Sequence, residues 1–247
     1  MKQNFKIIIE YDGTEFFGWQ RQKDKKSVQG EIEKALSKIL NQSIKSSGSG
    51  RTDAGVHAFG QVANFHADTT ILPLNLKKGA NSLIKHSIVI RECCIVDDDF
   101  HARYTAVSKE YHYVILNRED PCAINRFYQW HIRHPLDIEA MNRCCQEVTG
   151  IFDFKSFENT GSPRSSTIRE IFFSNISPLD NDRLVFKICA NGFLKYMVRN
   201  LISTIVLAGL NKISLDAFIK ILKAKDRTTA GPTAPAHGLF LKKVNYS

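Results

Sequence analysis

The chain has 247 residues, 43% of them hydrophobic and 24% charged, with a formal net charge of +9. That composition excludes a disordered or fibrous polymer and supplies one large core or two modest ones. The basic surplus lies mostly in residues 101–247 and suits either a polyanionic partner or an ordinary solvated surface.

The opening residues, Met1 to Lys6, run straight into a strand pattern with no apolar leader, so a cytoplasmic protein is expected. Phe5 to Tyr11 is rich in β-branched and aromatic residues and reads as a strand, ended by Asp12-Gly13-Thr14. A loop with a charged tip, Lys23 to Lys26, leads to Ser27, a helix N-cap. Val28, Ile32, Ala35, Leu36, Ile39 and Leu40 then recur at helical spacing. Gly48-Ser49-Gly50-Arg51-Thr52-Asp53-Ala54-Gly55 is a glycine-flanked segment around one arginine and one carboxylate. On its own residues it also reads as a flexible turn with a surface Arg–Asp pair; it lacks the Gly-Lys-Ser/Thr of a phosphate-binding loop.

Gln61 to Phe65 and Glu110 to Leu116 read as strands, Asp137 to Val148 as a helix, and Ile168 to Ile176 and Leu184 to Ala190 as further strands. Helices follow over Leu194 to Ala208 and Leu215 to Lys223. The apolar run Leu201 to Leu210 is too short for a membrane span and suits either a core helix or an interface. The six cysteines include no C-x-x-C pair, so reduced thiols are expected. His131 and His134 lack further ligands, so no metal site is expected. The alternation of strands and helices predicts an α+β protein of two related lobes, with mostly antiparallel sheets, flanking helices and a positively charged central cleft. The lobes are expected over residues 1–102, carrying the Asp loop, and 103–247, carrying the Tyr strand and a basic surface.

Gly50-Arg51-Thr52-Asp53-Ala54-Gly55-Val56-His57-Ala58 resembles the active-site signature of the tRNA pseudouridine synthase A family. The resemblance extends through Tyr11-Asp12-Gly13-Thr14, Gly18-Trp19-Gln20, Ser27-Val28-Gln29-Gly30 and Phe100-His101-Ala102-Arg103. It continues through Lys109 to Tyr113, Met197-Val198-Arg199-Asn200 and Gly231-Pro232-Thr233-Ala234-Pro235. It implies an enzyme that isomerises uridine in tRNA, at positions 38, 39 and 40 of the anticodon arm, without a cofactor and as a homodimer. Asp53 is implied as nucleophile. Arg199 is implied as the cation that keeps it ionised, and Tyr111 as the ring that stacks on uracil and helps remove the C5 proton. Arg51 is implied as an RNA contact, and Arg21, with Lys23, Lys25 and Lys26, is a candidate RNA contact on charge alone. Asn64, where relatives often carry histidine, and Lys195 depart from the pattern and bear on substrate range. The competing readings are a non-catalytic RNA-binding or RNA-folding protein, which has no need of Asp53, Tyr111 and Arg199 together, and an N-glycosylase, which would release free base.

Overall fold

A computed structural model describes residues 2–84, 86–159 and 166–247. In chain order the elements are β1 (Lys2–Tyr11), α1 (Val28–Leu40), β2 (Ser46–Gly48), β3 (His57–Asp68), α2 (Pro73–Leu83) and β4 (Ile88–Val96). They continue with β5 (Ala106–Asn117), β6 (Trp130–Ile132), α3 (Ile138–Glu147), β7 (Gly150–Asp153), β8 (Ile168–Pro178) and β9 (Arg183–Ala190). Helices α4 (Met197–Gly209) and α5 (Leu215–Ala224) and strand β10 (Leu239–Tyr246) complete the order. This is the α+β class that the sequence predicts. The chain divides into two compact units, Met1–Val107 with Phe240–Ser247, and Ser108–Leu239. The break expected after residue 102 falls instead after Val107, and β10 closes the first unit. A cut at one point of the sequence cannot represent that return, which comes from β10 lying parallel to β3 at Phe240 opposite His57.

In the first unit β1 lies between β3 and β4, antiparallel to both, and β2 extends β3 on its other side. Phe5, Ile7, Ile9 and Tyr11 alternate along β1 onto the buried face, as a period of two demands, and Phe5 stacks on Phe65 at 5.3 Å. Ser27 caps α1, accepting from the Gly30 N–H at 3.3 Å. The helix ends at Asn41 in the left-handed conformation, φ 49°. Helix α2 and strand β4 are absent from the sequence expectation. The helix buries only Leu76 and Ala80 and has no side-chain cap, and β4 is interrupted by the exposed Arg91-Glu92. Asn81 of α2 holds the two together by donating to and accepting from the Ile90 backbone at 2.9 and 2.8 Å.

The second unit is a sheet in the order β5-β9-β8-β7, antiparallel throughout, with β6 parallel to β5. Helix α3 is tied to β8 by Asn142, which donates to and accepts from the Ile176 backbone at 2.9 and 2.8 Å. The Leu201 to Leu210 run forms most of α4, with Leu201, Ile202 and Ile205 fully buried, so it is core of its own unit. That helix starts at Met197 rather than Leu194 because Tyr196 takes a left-handed conformation, φ 64°. Among the described residues, no helix is long and apolar enough to cross a membrane. The six cysteines are free thiols, and burial pushes Cys145 up to about 12.

One buried carboxylate joins three pieces of the first unit. Glu33 of α1, 5% exposed at its side chain, accepts from Arg21 Nη1 at 2.8 Å. It also accepts from the Ser46 N–H at 2.8 Å, Ser46 Oγ at 3.1 Å and Gln29 Nε2 at 3.1 Å. Replacing Glu33 with alanine strands the Ser46 N–H and one Gln29 side-chain N–H, the other still reaching Ser46 O at 2.9 Å, whereas the half-exposed Arg21 rehydrates. The expected loss is about 2–3 kcal/mol of stability, read as a lower urea midpoint with an unchanged denaturant slope.

Candidate active site

Asp53 lies in the first unit on an irregular loop between β2 and β3, half-buried, with Arg51 exposed beside it. The segment after β1 clamps this loop from one side. The Trp19 N–H donates to Thr52 O at 3.1 Å, and the Gly55 N–H to Phe16 O at 3.3 Å. Both contacts depend on glycine. A Cβ on Gly18, whose φ is +88°, would stand 2.5 Å from Thr52 O, and one on Gly13 would stand 2.0 Å from Val56 O. The Asp12-Gly13-Thr14 turn is fixed in turn by His57, whose Nδ1 accepts from the Gly13 N–H at 3.0 Å. The Val56 N–H donates to Asp53 O at 3.2 Å, which closes the turn that presents the carboxylate.

Beneath the loop lies a buried polar cluster from β1 and β3. The Tyr11 hydroxyl and Thr52 Oγ1 share a hydrogen bond of 2.7 Å. Gln61 donates from Nε2 to Gly50 O at 3.0 Å and accepts at Oε1 from Ser49 Oγ at 2.6 Å. Burial raises the Tyr11 phenol well above its ordinary range, against the lowering effect of hydrogen bonds to Thr52 and Gln61. Tyr11, Ser49, Thr52 and Gln61 stand in strand and motif segments legible in the sequence, but no supporting role is expected of them there. Their signal is Gln61 itself, one of two amides, with Asn64, in the expected strand Gln61 to Phe65.

Arg21 and the lysines of the charged tip belong to the same unit. Arg21 is ion-paired with Glu33, Lys26 pairs with Glu15 at 2.9 Å, and Lys25 lies over the Phe17 ring at 5.0 Å. Asn64 has a structural task. It donates to Asn4 Oδ1 at 3.0 Å and accepts from the Ala102 N–H at 3.0 Å, anchoring the Phe100-His101-Ala102-Arg103 segment.

Tyr111 and Arg199 belong to the second unit. Tyr111 sits on β5, buried, opposite Ile188 of β9, with its ring edge-on to Phe193 at 5.1 Å. Tyr113, two residues on, is fully buried and donates its hydroxyl to Pro235 O at 2.8 Å. Arg199 is at the start of α4. Its Nε donates to Ala234 O at 2.7 Å, and its guanidinium lies 4.8 Å from the centre of the Tyr196 ring. Lys195, directly before Tyr196, is exposed, with its Nζ 5.6 Å from the centre of the same ring.

Residues 230–235 are stitched to α4 by a network that the sequence pattern does not announce. Asn200, fully buried, donates to Phe157 O at 2.8 Å and accepts from Thr233 Oγ1 at 2.7 Å and Arg227 Nη2 at 3.0 Å. The Gly231 N–H donates to Thr204 Oγ1 at 3.0 Å. Arg199 is therefore carried on a helix start whose neighbouring loop is pinned at several points.

The tRNA pseudouridine synthase family model matches residues 7–105 and 144–247. The chain belongs to this family, whose members are enzymes converting uridine to pseudouridine. Among its relatives, tRNA pseudouridine synthase A of Thermoanaerobacter sp. (strain X514) is 43% identical over 99% of this chain and 100% of that protein. The protein of the same name from Acetivibrio thermocellus is 41% identical over the same shares. A solved archaeal box H/ACA sRNP Nop10-Cbf5 complex aligns with 91% of this chain and 59% of that chain, at 12% identity and a TM-score of 0.37, too remote a likeness to carry weight.

His237, in the short 3-10 turn Ala236–Gly238, supplies a pH probe for the second unit. Burial lowers its pKa below the ordinary 6.5, and the Arg199 charge acts in the same direction, while a backbone hydrogen bond opposes them. A histidine held neutral contributes stability that is present above 6.5 and lost as pH falls through the lower folded value. Replacing His237 with glutamine should flatten the dependence of the urea midpoint on pH below 6.5, relative to the unsubstituted protein.

Proposed function

We propose that this chain isomerises uridines at positions 38, 39 and 40 in the anticodon arm of tRNA, with Asp53 as nucleophile. The carrying observation is a full-length match to tRNA pseudouridine synthase A relatives that includes the clamped Asp53 loop. In the reaction, the bond from ribose C1′ to uracil N1 breaks with its electron pair passing to the base. The base turns, and C5 supplies the pair for the new bond to C1′. The proton on C5 leaves and N1 gains one, so reactant and product share a formula and no oxidant or reductant enters. The Asp53 carboxylate serves this exchange at the sugar, as in retaining glycosidases, whether it bonds C1′ or acts on a route through a glycal.

The other residues have distinct tasks in this reading. Arg199 holds the carboxylate ionised against desolvation. Tyr111 offers a flat face for the extruded uracil and helps take the C5 proton. Extruding a stacked nucleotide costs roughly a few kcal/mol, and phosphate contacts from Arg51, Arg21 and the basic surplus of residues 101–247 offset it. Arg21 would then act while still tied to Glu33, through the half of its side chain that remains exposed. Working on tRNA, the enzyme is cytoplasmic. A homodimer also belongs to this reading. The β7–β8 edge of the second unit leaves Ile151, Phe152, Ile168 and Phe172 exposed, and a second copy would cover such apolar surface. Light scattering should then report twice the 28.0 kDa chain mass.

The test is incubation of unmodified tRNA transcripts with the protein, followed by carbodiimide mapping of pseudouridine. The expected product appears in the anticodon arm with no free uracil. Asp53→Ala should keep tRNA binding and lower turnover by at least about a thousandfold. Free uracil would point instead to a glycosylase. Binding without product, in both the unsubstituted protein and the variant, would point to an RNA-folding protein.

A further inference from the structure

We propose that Gln61 and Tyr11 are positioning residues for pseudouridylation, which set the backbone on which Asp53 is carried. This inference rests on the function proposed above. Gln61 is completely buried and Tyr11 is 3% exposed, and each holds the loop on one side of Arg51. Gln61 takes Gly50 O as acceptor at 3.0 Å, and Tyr11 bonds Thr52 Oγ1 at 2.7 Å. The Tyr11 hydroxyl also interacts with the Gln61 side chain, so the two anchors form one cluster. Ser49 completes it, giving its hydroxyl to Gln61 Oε1 at 2.6 Å and its N–H to Val62 O at 2.8 Å.

A role in stability alone does not require this chemistry. Matched apolar side chains at buried positions can be nearly as stable as a satisfied polar pair. What they cannot do is fix the Gly50 carbonyl and the Thr52 hydroxyl in direction. Asp53 follows Thr52 directly, so a rotation of the Thr52 peptide moves the carboxylate relative to ribose C1′. Misplacement of a reacting group by about 1 Å costs about a hundredfold in rate, even when the substitution lies away from the chemistry.

The experiment compares the unsubstituted enzyme with Gln61→Met, Tyr11→Phe and the double variant. It reads single-turnover pseudouridine formation, tRNA affinity and melting temperature. Each single variant, still folded at the assay temperature, should lose about ten- to a hundredfold in rate with Kd for tRNA within about twofold. The double variant should lose less than the product of the two, because the residues act through one cluster. A conservative control separates positioning from packing. Gln61→Glu can donate to Gly50 O only when protonated, so its rate relative to Gln61→Met should rise as pH is lowered. Should Gln61→Met fail to fold, Tyr11→Phe, which deletes one oxygen, decides the matter alone. Rates within about twofold of the unsubstituted enzyme in folded variants overturn the proposal, as does a parallel loss of rate and affinity. An unsubstituted enzyme that binds tRNA but forms no pseudouridine overturns the function reading, and this proposal with it.

Discussion

The carbonyl of Gly50 and the hydroxyl of Thr52 are each held by a side chain that water does not reach, and the shape of the Asp53 loop depends on those two contacts. The loop belongs to neither a helix nor a strand ladder, so its peptide groups need partners from elsewhere. Gln61 supplies one for the Gly50 carbonyl, the Phe16 and Trp19 backbone supplies others from one side, and Tyr11 holds the Thr52 side chain. An acid that must meet a sugar carbon gains from such rigidity, because a group already in place needs no reorganisation during the reaction. Gly13 and Gly18 make the close approach possible, so two glycines far from the aspartate in sequence are part of its support.

The second unit solves a similar problem by similar means. Residues 230–235 are irregular, yet Asn200, Arg227, Thr204 and Tyr113 all bond to them. Desolvation lowers the pKa of Arg227, the usual result when a cation is drawn into a protein and held by neutral oxygens. The left-handed Tyr196 sets where α4 begins, and so sets where Arg199 stands relative to Ala234. In both units, buried amide and hydroxyl groups hold the irregular segment next to the motif residue.

The elements legible in the sequence are those with strong periodicity. The apolar alternation of β1 and the stripe and cap of α1 stand where the pattern puts them, as do the helices expected from Asp137 and from Leu215. The weaker elements escape for physical reasons. Helix α2 touches the core through two residues and has no side-chain cap, so neither a long apolar stripe nor a capping residue marks it. Strand β10 is interrupted by exposed Lys242 and Lys243, and its partner β3 lies far back in the chain. The Asp53 segment is legible only through its resemblance to a family, since its own residues equally suit a surface turn. Its supports are hidden because hydrogen-bond partners such as Tyr11 and Thr52 stand 41 residues apart.

The return of β10 to the first unit has a consequence for how the chain comes off a ribosome. Residues 108–239 form a unit inserted within another in chain order, so synthesis completes the inserted unit before its host. Until β10 emerges, the strand that begins at His57 lacks its parallel neighbour at Phe240 and Leu241. The nascent first unit therefore waits with two strand residues, His57 and Ala58, short of one neighbour directly beside the loop that bears the aspartate, so the support of that loop is completed only by the last residues to emerge.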